Sequence, residues 1–392
     1  MKQESKLWTS NFILIASANF LLFISFYMLM VTLTTYASNH FNASQSMAGL
    51  ASSVFVLGAV LIRPISGKII NQVGKKKLLL IGVILFFVFM LFYIPVNDLT
   101  TLLILRFFHG FAFGISTTAT NTIVADIVPI NRRGEGLGYF ATSTNLAMAV
   151  GPFLGLYISQ QLDMTAIFMT TIIFATISLG TAFFISIPKG LPVANPNSTK
   201  TKFHLSDYIE KTTLPIGMVV LILGFVYSSI LSFLTEYATE INLVSAASFF
   251  FVFYAIFLLI SRPFSGKLYD HKGENSVIYP SLILFAIGLI ILSQANISVS
   301  LLISGALIGV GFGTFQSSTQ TISVSIAPKD RIGLATSTFF VLFDFGVGIG
   351  PFLLGFILPL IGFRNLYLTM SIIVIFSIGL YYLVHGKQAK RS

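Results

Sequence analysis

A six-residue segment of this chain returns almost unchanged 199 residues later. Arg-Pro-Ile-Ser-Gly-Lys at 63–68 becomes Arg-Pro-Phe-Ser-Gly-Lys at 262–267. Further identities follow at the same spacing: Gly110 with Gly309, Gly114 with Gly313, and Gly-Pro-Phe at 151–153 with Gly-Pro-Phe at 350–352. A constant offset over about ninety residues is not expected by chance, and it indicates two copies of one structural unit joined in tandem.

Composition places both copies in a membrane. Of the 392 residues, 55% are hydrophobic and 9% are charged, whereas soluble domains carry about 25% charged residues. The mean hydropathy is +0.89. A chain this poor in charge cannot cover itself with a water-compatible surface, so we expect an all-α protein that crosses the bilayer many times.

Twelve apolar stretches have the length of a membrane-spanning helix, about 20 to 25 residues. They run near 11–36, 45–66, 77–96, 100–124, 136–159, 165–187, 213–238, 245–265, 276–294, 299–324, 334–358 and 364–385. With the repeat, they predict two pseudo-symmetric six-helix bundles, at 1–188 and 212–392, joined by a polar linker at 189–211. Two homologous apolar halves are typical of secondary transporters.

The distribution of charge predicts the orientation of the chain. The net charge is +10, and most of the 23 Lys and Arg residues fall in one set of alternate loops, together with both termini. By the positive-inside rule these segments are cytoplasmic, which predicts a multi-pass cell-membrane protein with both termini inside. Orientation therefore explains the basic character better than nucleic-acid binding, and we expect no nucleic-acid partner.

Three features exclude other classes of protein. The first apolar stretch, 12–36, is too long for a secretory signal and lacks a small-residue cleavage site. The chain has no cysteine, which excludes disulfides, thiolate metal sites and cysteine nucleophiles. No metal-ligand spacing, nucleophile–base set or phosphate loop is present, so we expect neither an enzyme nor a cofactor.

Four segments resemble signatures of the major facilitator superfamily. They are Gly67-Lys-Ile-Ile-Asn71-Gln-Val-Gly74-Lys75-Lys76-Lys77, its second copy Gly266-Lys-Leu-Tyr-Asp270-His-Lys-Gly273, Leu105-Arg106-Phe-Phe-His109-Gly110, and Ala147-Met-Ala-Val-Gly151-Pro152-Phe-Leu-Gly155. The first two resemble the loop after helix 2, the third the helix 4 motif, and the fourth a helix 5 motif of drug:proton antiporters. The resemblance covers nearly the whole chain. It implies the twelve-helix major facilitator fold in a monomer that exports drugs in exchange for protons.

The resemblance also implies a gating loop on the cytoplasmic side. Glycines permit a tight turn there, and the clustered lysines can pair with acids and with helix C-termini. The family usually has Asp where this chain has Asn71. The alternative is that the lysines only set topology. The implied gating set is Gly67, Asn71, Gly74, Lys75, Lys76, Lys77, Asp126 and Asp270.

Ionisable residues inside the membrane are costly and are functional candidates by default. Arg106 lies about 10 Å deep in the fourth span, and His109 follows on the same helical face with a side chain suited to proton exchange. Asp344 lies near mid-bilayer, and the equivalent residue in the first copy of the repeat is Asn145. The Asp344 carboxyl suits either a proton carrier or a counter-charge for a cationic substrate. Glu236 ends the seventh span. For each residue the alternative is a structural hydrogen bond, or plain solvation for Glu236.

Polar and aromatic residues of several spans are candidates to line a substrate cavity, although most aromatics at this density only pack. They are Asn19, Phe23, Tyr27, Asn121, Tyr227, Gln316 and Gln320. The favoured function is therefore a proton-coupled exporter of amphipathic small molecules. Its expected partners are a small-molecule substrate, protons and the lipid bilayer. The alternative is a transporter of one defined polar metabolite, such as a metallophore, a sugar or a lipid-like compound, whose site needs several convergent polar groups.

Overall fold

The structure is a computed structural model that describes residues 6–129, 132–186, 209–328 and 331–389. This part of the chain is helical and contains no β-strand. The α-helices are α1 Ser10–Phe41, α2 Gln45–Val73, α3 Lys75–Leu91, α4 Leu99–Ile127, α5 Arg133–Gln161, α6 Met164–Phe184, α7 Leu214–Glu240, α8 Val244–Lys272, α9 Asn275–Ser293, α10 Ser298–Ile308, α11 Thr314–Ser325, α12 Ile332–Tyr381 and α13 Lys387–Ala389.

Nine helical stretches of the described chain are long and apolar enough to cross a membrane. One of them joins α10 and α11 through the π-helical turn Gly309–Gly313. In a bilayer only helices and closed barrels satisfy their own backbone hydrogen bonds. The chain is therefore a multi-pass membrane protein, as its composition predicts.

Helix α12 is too long to be a single span. It covers 50 residues, whereas about 20 suffice to cross the hydrocarbon core. Gly362 interrupts its helical geometry with φ 75° and ψ 167°, a left-handed region that glycine enters without a steric penalty. The residues before and after Gly362 therefore form two helical segments that change direction at this glycine.

The expected cytoplasmic loop at 68–77 is much shorter than predicted. Helix α2 continues to Val73 and α3 begins at Lys75, so only Gly74 separates them, with φ 93°. Gly273 makes the corresponding break after α8, with φ 78°. The sequence predicted that the helices end at the membrane boundary. In the structure, polar helical turns continue beyond that boundary until a glycine allows the chain to reverse direction.

The chain divides into two compact units, neither of which is one continuous segment. Unit 1 comprises Met1–Met30 and Val54–Lys202, and unit 2 comprises Val31–Ser53 and Phe203–Ser392. In unit 1, α3 packs against α4 and α6. In unit 2, α7 and α9 pack against α12, and α8 and α9 pack against α10. Most of the expected linker at 189–211 lies outside the described residues.

Glycines let neighbouring helices touch at their backbones. A Cβ atom at Gly110 of α4 would lie 2.0 Å from the carbonyl oxygen of Phe55, and one at Gly58 of α2 would lie 2.2 Å from that of Phe107. In unit 2, a Cβ atom at Gly309 would lie 2.2 Å from the carbonyl oxygen of Tyr254. These distances are shorter than van der Waals contact, so no larger residue fits unless a helix moves.

We expect Gly110→Ala to destabilise the protein by about 1–3 kcal/mol, because the added methyl group meets backbone atoms that cannot rotate away. Gly138→Ala is the matched control, since Gly138 is an exposed helical glycine of α5 with no atom within 4 Å of its Cβ position. It should be neutral or stabilising by up to about 1 kcal/mol. Thermal unfolding of both purified variants in detergent measures the difference, and equal midpoints would contradict the close packing.

Candidate functional site

Arg106 is fully buried in unit 1 and is held by aromatic residues. It lies on α4, and its guanidinium carbon is 4.3 Å from the centre of the Phe55 ring of α2. Its Nη1 atom donates a long hydrogen bond of 3.4 Å to the Tyr93 hydroxyl, just beyond α3. A cation over an aromatic face is stabilised by the ring quadrupole. The close α2–α4 approach at Gly58 and Gly110 brings the Phe55 ring to this position.

The same tyrosine contacts His109. The Tyr93 hydroxyl lies 2.9 Å from His109 Nδ1. Arginine only donates, so Tyr93 accepts from Arg106. In the hydrogen bond with Nδ1 the tyrosine is the donor in one imidazole tautomer and the acceptor in the other. The three side chains therefore form one hydrogen-bonded chain from Arg106 through Tyr93 to His109.

His109 has no access to water in this arrangement. It is 0% exposed, with the Phe86 ring at 4.3 Å and the Phe55 ring at 5.1 Å. Its Nε2 atom has no hydrogen-bond partner among the described residues. Proton exchange at His109 would therefore require its ring or Tyr93 to move first.

Asn19 organises a second polar cluster in unit 1. Its amide nitrogen donates to Ser143 Oγ and to Thr144 Oγ1, each at 3.0 Å, and its amide oxygen accepts from Thr120 Oγ1 at 3.3 Å. Asn19 is 0% exposed. These bonds tie α1 to α4 and α5, and they leave the polar groups of Asn19 directed at other helices.

The other candidates of unit 1 differ in accessibility. Tyr27 is buried and Phe23 half-buried, and the Phe23 ring lies 6.3 Å from that of Tyr27 and 5.0 Å from that of Phe113. Asn145 is half-buried and directly follows Thr144, a member of the Asn19 cluster, in the sequence. Asn121 is exposed, although its amide nitrogen donates to the carbonyl of Thr117 at 2.7 Å.

The lysines after Gly74 lie at the start of α3. Lys75 forms an ion pair with Asp126 near the end of α4, the contact that the family resemblance implies. Lys76 donates to the carbonyl of Phe183 at 3.0 Å. Gly67, Gly74 and Lys77 are exposed, as is Asp270 in unit 2, whereas the side chain of Asn71 lies outside the described part of the chain.

Unit 2 carries the remaining predicted cavity residues. The Tyr227 ring of α7 is fully buried and stacks on Phe312 of the π-helical turn at 4.1 Å. Gln316 is buried, while Gln320 and Asp344 are half-buried. Asp344 therefore retains some accessibility, unlike Arg106.

Glu236 lies one turn before the end of α7, and neither of its carboxylate oxygens is accessible to solvent. From the sequence, plain solvation was the alternative to a functional role for Glu236, because the residue lies at the end of a predicted span. Its position beside Gln45 of α2 had no signal in the sequence, since the two residues are far apart along the chain. Tyr93, which connects Arg106 to His109, was missed for the same reason.

Glu210 and Arg331 form another pair that sequence reasoning missed. Arg331 Nε lies 2.6 Å from the Glu210 carboxylate, and the Glu210 amide donates to Thr338 Oγ1 at 2.9 Å. Hydrogen bonds from Thr212, together with the Arg331 charge, hold the pKa of Glu210 below its usual value. The pair ties the segment before α7 to the start of α12.

Sequence comparison identifies the family. The model of the Major Facilitator Superfamily matches residues 15–280 and 244–392. The chain belongs to this superfamily of transporters. It is therefore a transporter and not an enzyme.

Individual relatives are distant but extend over most of the chain. An MFS-type transporter of Methanocaldococcus jannaschii is 25% identical over 325 residues, covering 81% of this chain and 84% of the relative. The multidrug resistance protein MdtG of Escherichia coli is 25% identical over 385 residues, covering 94% of this chain and 93% of its own length.

Solved structures share the fold at low sequence identity. A bacterial homologue of the human lysosomal transporter Spinster, in an inward-facing and unoccupied conformation, aligns with a TM-score of 0.75 at 13% identity, over 95% of this chain and 96% of that one. A POT family transporter in complex with a conjugated peptide gives 0.77 at 15% identity, over 95% of each chain. The nucleoside transporter NupG gives 0.70 at 13% identity, over 95% of this chain and 99% of its own.

We expect Tyr93→Phe to lower stability by about 1–3 kcal/mol, because it removes the oxygen that serves buried Arg106 and His109. Tyr157→Phe is the control, since Tyr157 is 46% exposed, and it should leave the thermal midpoint unchanged. Unfolding of the two purified variants in the same detergent measures the difference. If Tyr93→Phe unfolds at the wild-type temperature, the hydrogen-bonded chain does not stabilise the protein.

Proposed function

We propose that this chain is a proton-coupled secondary transporter that exports amphipathic small molecules by alternating access. Similarity to a multidrug resistance protein over nearly its whole length supports this proposal. The supporting observation in the structure is that Asn19 and Arg106, two buried polar residues of unit 1, are bonded to neighbouring side chains. Asn19 is bonded to Ser143, Thr144 and Thr120, and Arg106 to Tyr93.

Such an arrangement favours a substrate recognised mainly by apolar and aromatic surface. A site for one polar metabolite directs several unpaired polar groups at a common point. Here the candidates that keep some accessibility are few, namely Phe23, Asn121, Asn145, Gln320 and Asp344. A lipophilic molecule with one charge needs no more than one such group as a partner.

The proposal includes the full architecture expected from the sequence. Twelve spans result when α3 and α5 also cross the membrane and α12 crosses twice, on either side of Gly362. The two six-helix halves are 1–188 and 212–392, joined by the linker 189–211. Separate contacts in the two units support the pseudo-symmetry, since Gly110 meets Phe55 and Gly309 meets Tyr254, and both residues of the second pair lie 199 positions after those of the first.

The proposed orientation places both termini in the cytoplasm of a cell membrane, with a single chain as the working unit. The basic loops support this orientation. On that side Lys75 and Asp126 form the ion pair of the gating loop.

Asp344 is the proposed coupling group, either by carrying the proton or by balancing a cationic substrate. Its half-buried side chain is accessible enough to exchange protons with water during a transport cycle. An ionised carboxylate at mid-bilayer depth is costly to hold, by several kcal/mol. A proton and a cationic substrate would compete for the Asp344 carboxylate. We therefore expect substrate binding to release the proton.

Proton release from purified protein tests the function directly. We expect a panel of chemically diverse lipophilic cations to release protons from the wild-type protein, as recorded by a pH-sensitive dye in weak buffer. Asp344→Asn, which mimics the protonated form, should still bind the compounds but release no protons. Asp163→Asn is the control, because Asp163 only caps α6 and asparagine caps equally well.

Three other results would contradict parts of this proposal. A response to a single polar metabolite alone would favour the alternative of a dedicated transporter. Wild-type proton release from Asp344→Asn would exclude Asp344 as the coupling group. If Asp344→Asn no longer binds cations but still binds neutral compounds, Asp344 serves only as a counter-charge.

The gating loop makes a separate prediction about turnover. We expect Lys75→Gln to slow transport in proteoliposomes about three- to tenfold, because it removes the partly buried ion pair with Asp126, while substrate binding is unchanged. Lys68→Gln is the control, since Lys68 is exposed on α2. The charge-exchanged double variant Lys75→Asp with Asp126→Lys should recover turnover. Wild-type turnover of Lys75→Gln would show that these lysines only set topology.

A further inference from the structure

Glu236 of α7 is a buried carboxyl group with no cationic partner among the described residues. Both of its oxygens are inaccessible and have no hydrogen-bond partner of normal geometry among the described residues. The adjacent side chain is Gln45, at the first residue of α2, and the amide oxygen of Gln45 is likewise buried and without a partner. The Gln45 amide nitrogen can donate to a carboxylate oxygen, but it carries no charge, so an ionised Glu236 would be left without a counter-ion.

One proton resolves this arrangement. A protonated carboxyl group gains an O–H donor, which can bond to the amide oxygen of Gln45. The other titratable group near Glu236 is Tyr367 of α12, whose hydroxyl donates to the carbonyl of Ser229 at 3.4 Å. No ion pair between described residues includes Glu236. Since an unpaired buried charge is costly, the neutral carboxyl fits this packed state.

Gln45 belongs to a segment of α2 that is packed tightly within unit 2. We call residues 45–53 the α2 lip. A Cβ atom at Gly355 of α12 would lie 2.4 Å from the carbonyl oxygen of Gln45, and one at Gly49 would lie 2.2 Å from that of Pro351. Ser53 Oγ accepts a hydrogen bond from the Phe352 amide at 3.1 Å. The lip, which carries the Gln45 side chain beside Glu236, is thus in direct backbone contact with α12.

We propose that Glu236 is a proton-controlled lock for the α2 lip. While the carboxyl group is protonated, it bonds to Gln45 and the lip stays packed on α12. When the proton leaves, the buried charge has no counter-ion among the described residues, and water can solvate it fully only if the lip separates from α12. Loss of the proton therefore favours release of the lip, and protonation favours closure.

This inference rests on the proposed function for the orientation of the lip, which faces the side of the membrane opposite the termini. It adds a second proton-dependent group to the transport cycle, distinct from Asp344. Proton entry at Glu236 would close the outer end of α2, whereas Asp344 would respond to substrate. The two roles separate experimentally because closure of the lip is measurable without any substrate.

The absence of cysteine in the chain makes the lip directly measurable. Ser53→Cys introduces a thiol at a position that is 1% exposed, and a membrane-impermeant maleimide in vesicles reports when water reaches it. Asn39→Cys, at an exposed residue of α1, corrects for the intrinsic effect of pH on the thiol reaction. We expect the corrected labelling rate at position 53 to rise about tenfold between about pH 5.5 and about pH 8 as the carboxyl ionises.

Substitutions at position 236, each made in the Ser53→Cys protein, test the assignment. Glu236→Gln keeps a neutral side chain, so labelling should stay low at both pH values. Glu236→Asp still titrates and should retain the rise. Glu240→Gln, one turn further along α7 at an exposed position, should also retain it. Monodisperse elution in detergent identifies variants that are folded.

Specific outcomes would overturn the lock. They are a pH-independent labelling rate in the Ser53→Cys parent, an unchanged rise in Glu236→Gln, or high labelling of Glu236→Gln at both pH values. Failure of these tests with substrate-linked proton release intact would leave the proposed function standing without the lock. Failure of proton release with a working lock would remove the role of Asp344 alone.

Discussion

A buried charge must be satisfied by neighbouring side chains, because the bilayer core offers no water to solvate it. Arg106 imposes this requirement on unit 1. Its guanidinium lies over the Phe55 ring and bonds to Tyr93, so α2, α4 and the segment after α3 must all meet at one place. Gly110 permits that meeting through backbone contact with Phe55. Motifs that are separate in sequence are therefore parts of one arrangement.

The two units share a matched helix contact, Gly110 with Phe55 and Gly309 with Tyr254, but they distribute charge differently. At the repeat positions of Arg106 and His109, unit 2 has Gly305 and Ile308. Conversely, Asp344 of unit 2 corresponds to Asn145 of unit 1. Unit 1 thus carries the buried cation, and unit 2 carries the intramembrane carboxylates. This division supports the proposal that proton coupling is a task of unit 2, with unit 1 contributing a fixed polar cluster.

The structure also separates residues that look equivalent in sequence. Arg106, His109, Asp344 and Glu236 were all candidates because ionisable groups are rare in the spans. Arg106 and His109 prove to be fully buried and bonded through Tyr93, whereas Asp344 keeps partial access to solvent. Glu236, at a helix end where solvation was the simple expectation, has both oxygens buried. Depth along a helix, which sequence gives, does not determine access, since access depends on the neighbouring helices.

The sequence by itself determined the membrane location, the 199-residue repeat and, through its motifs, the family. It could do so because apolar length, a fixed offset and motif spacing are one-dimensional properties. It predicted a cytoplasmic loop where a single glycine, Gly74, suffices, because helix length beyond the membrane depends on which turns find polar surroundings. Only the tertiary structure decided that Tyr93 connects Arg106 to His109 and that Gln45 faces Glu236. Those contacts join residues from different helices, and their geometry follows from how closely the glycines allow the helices to approach.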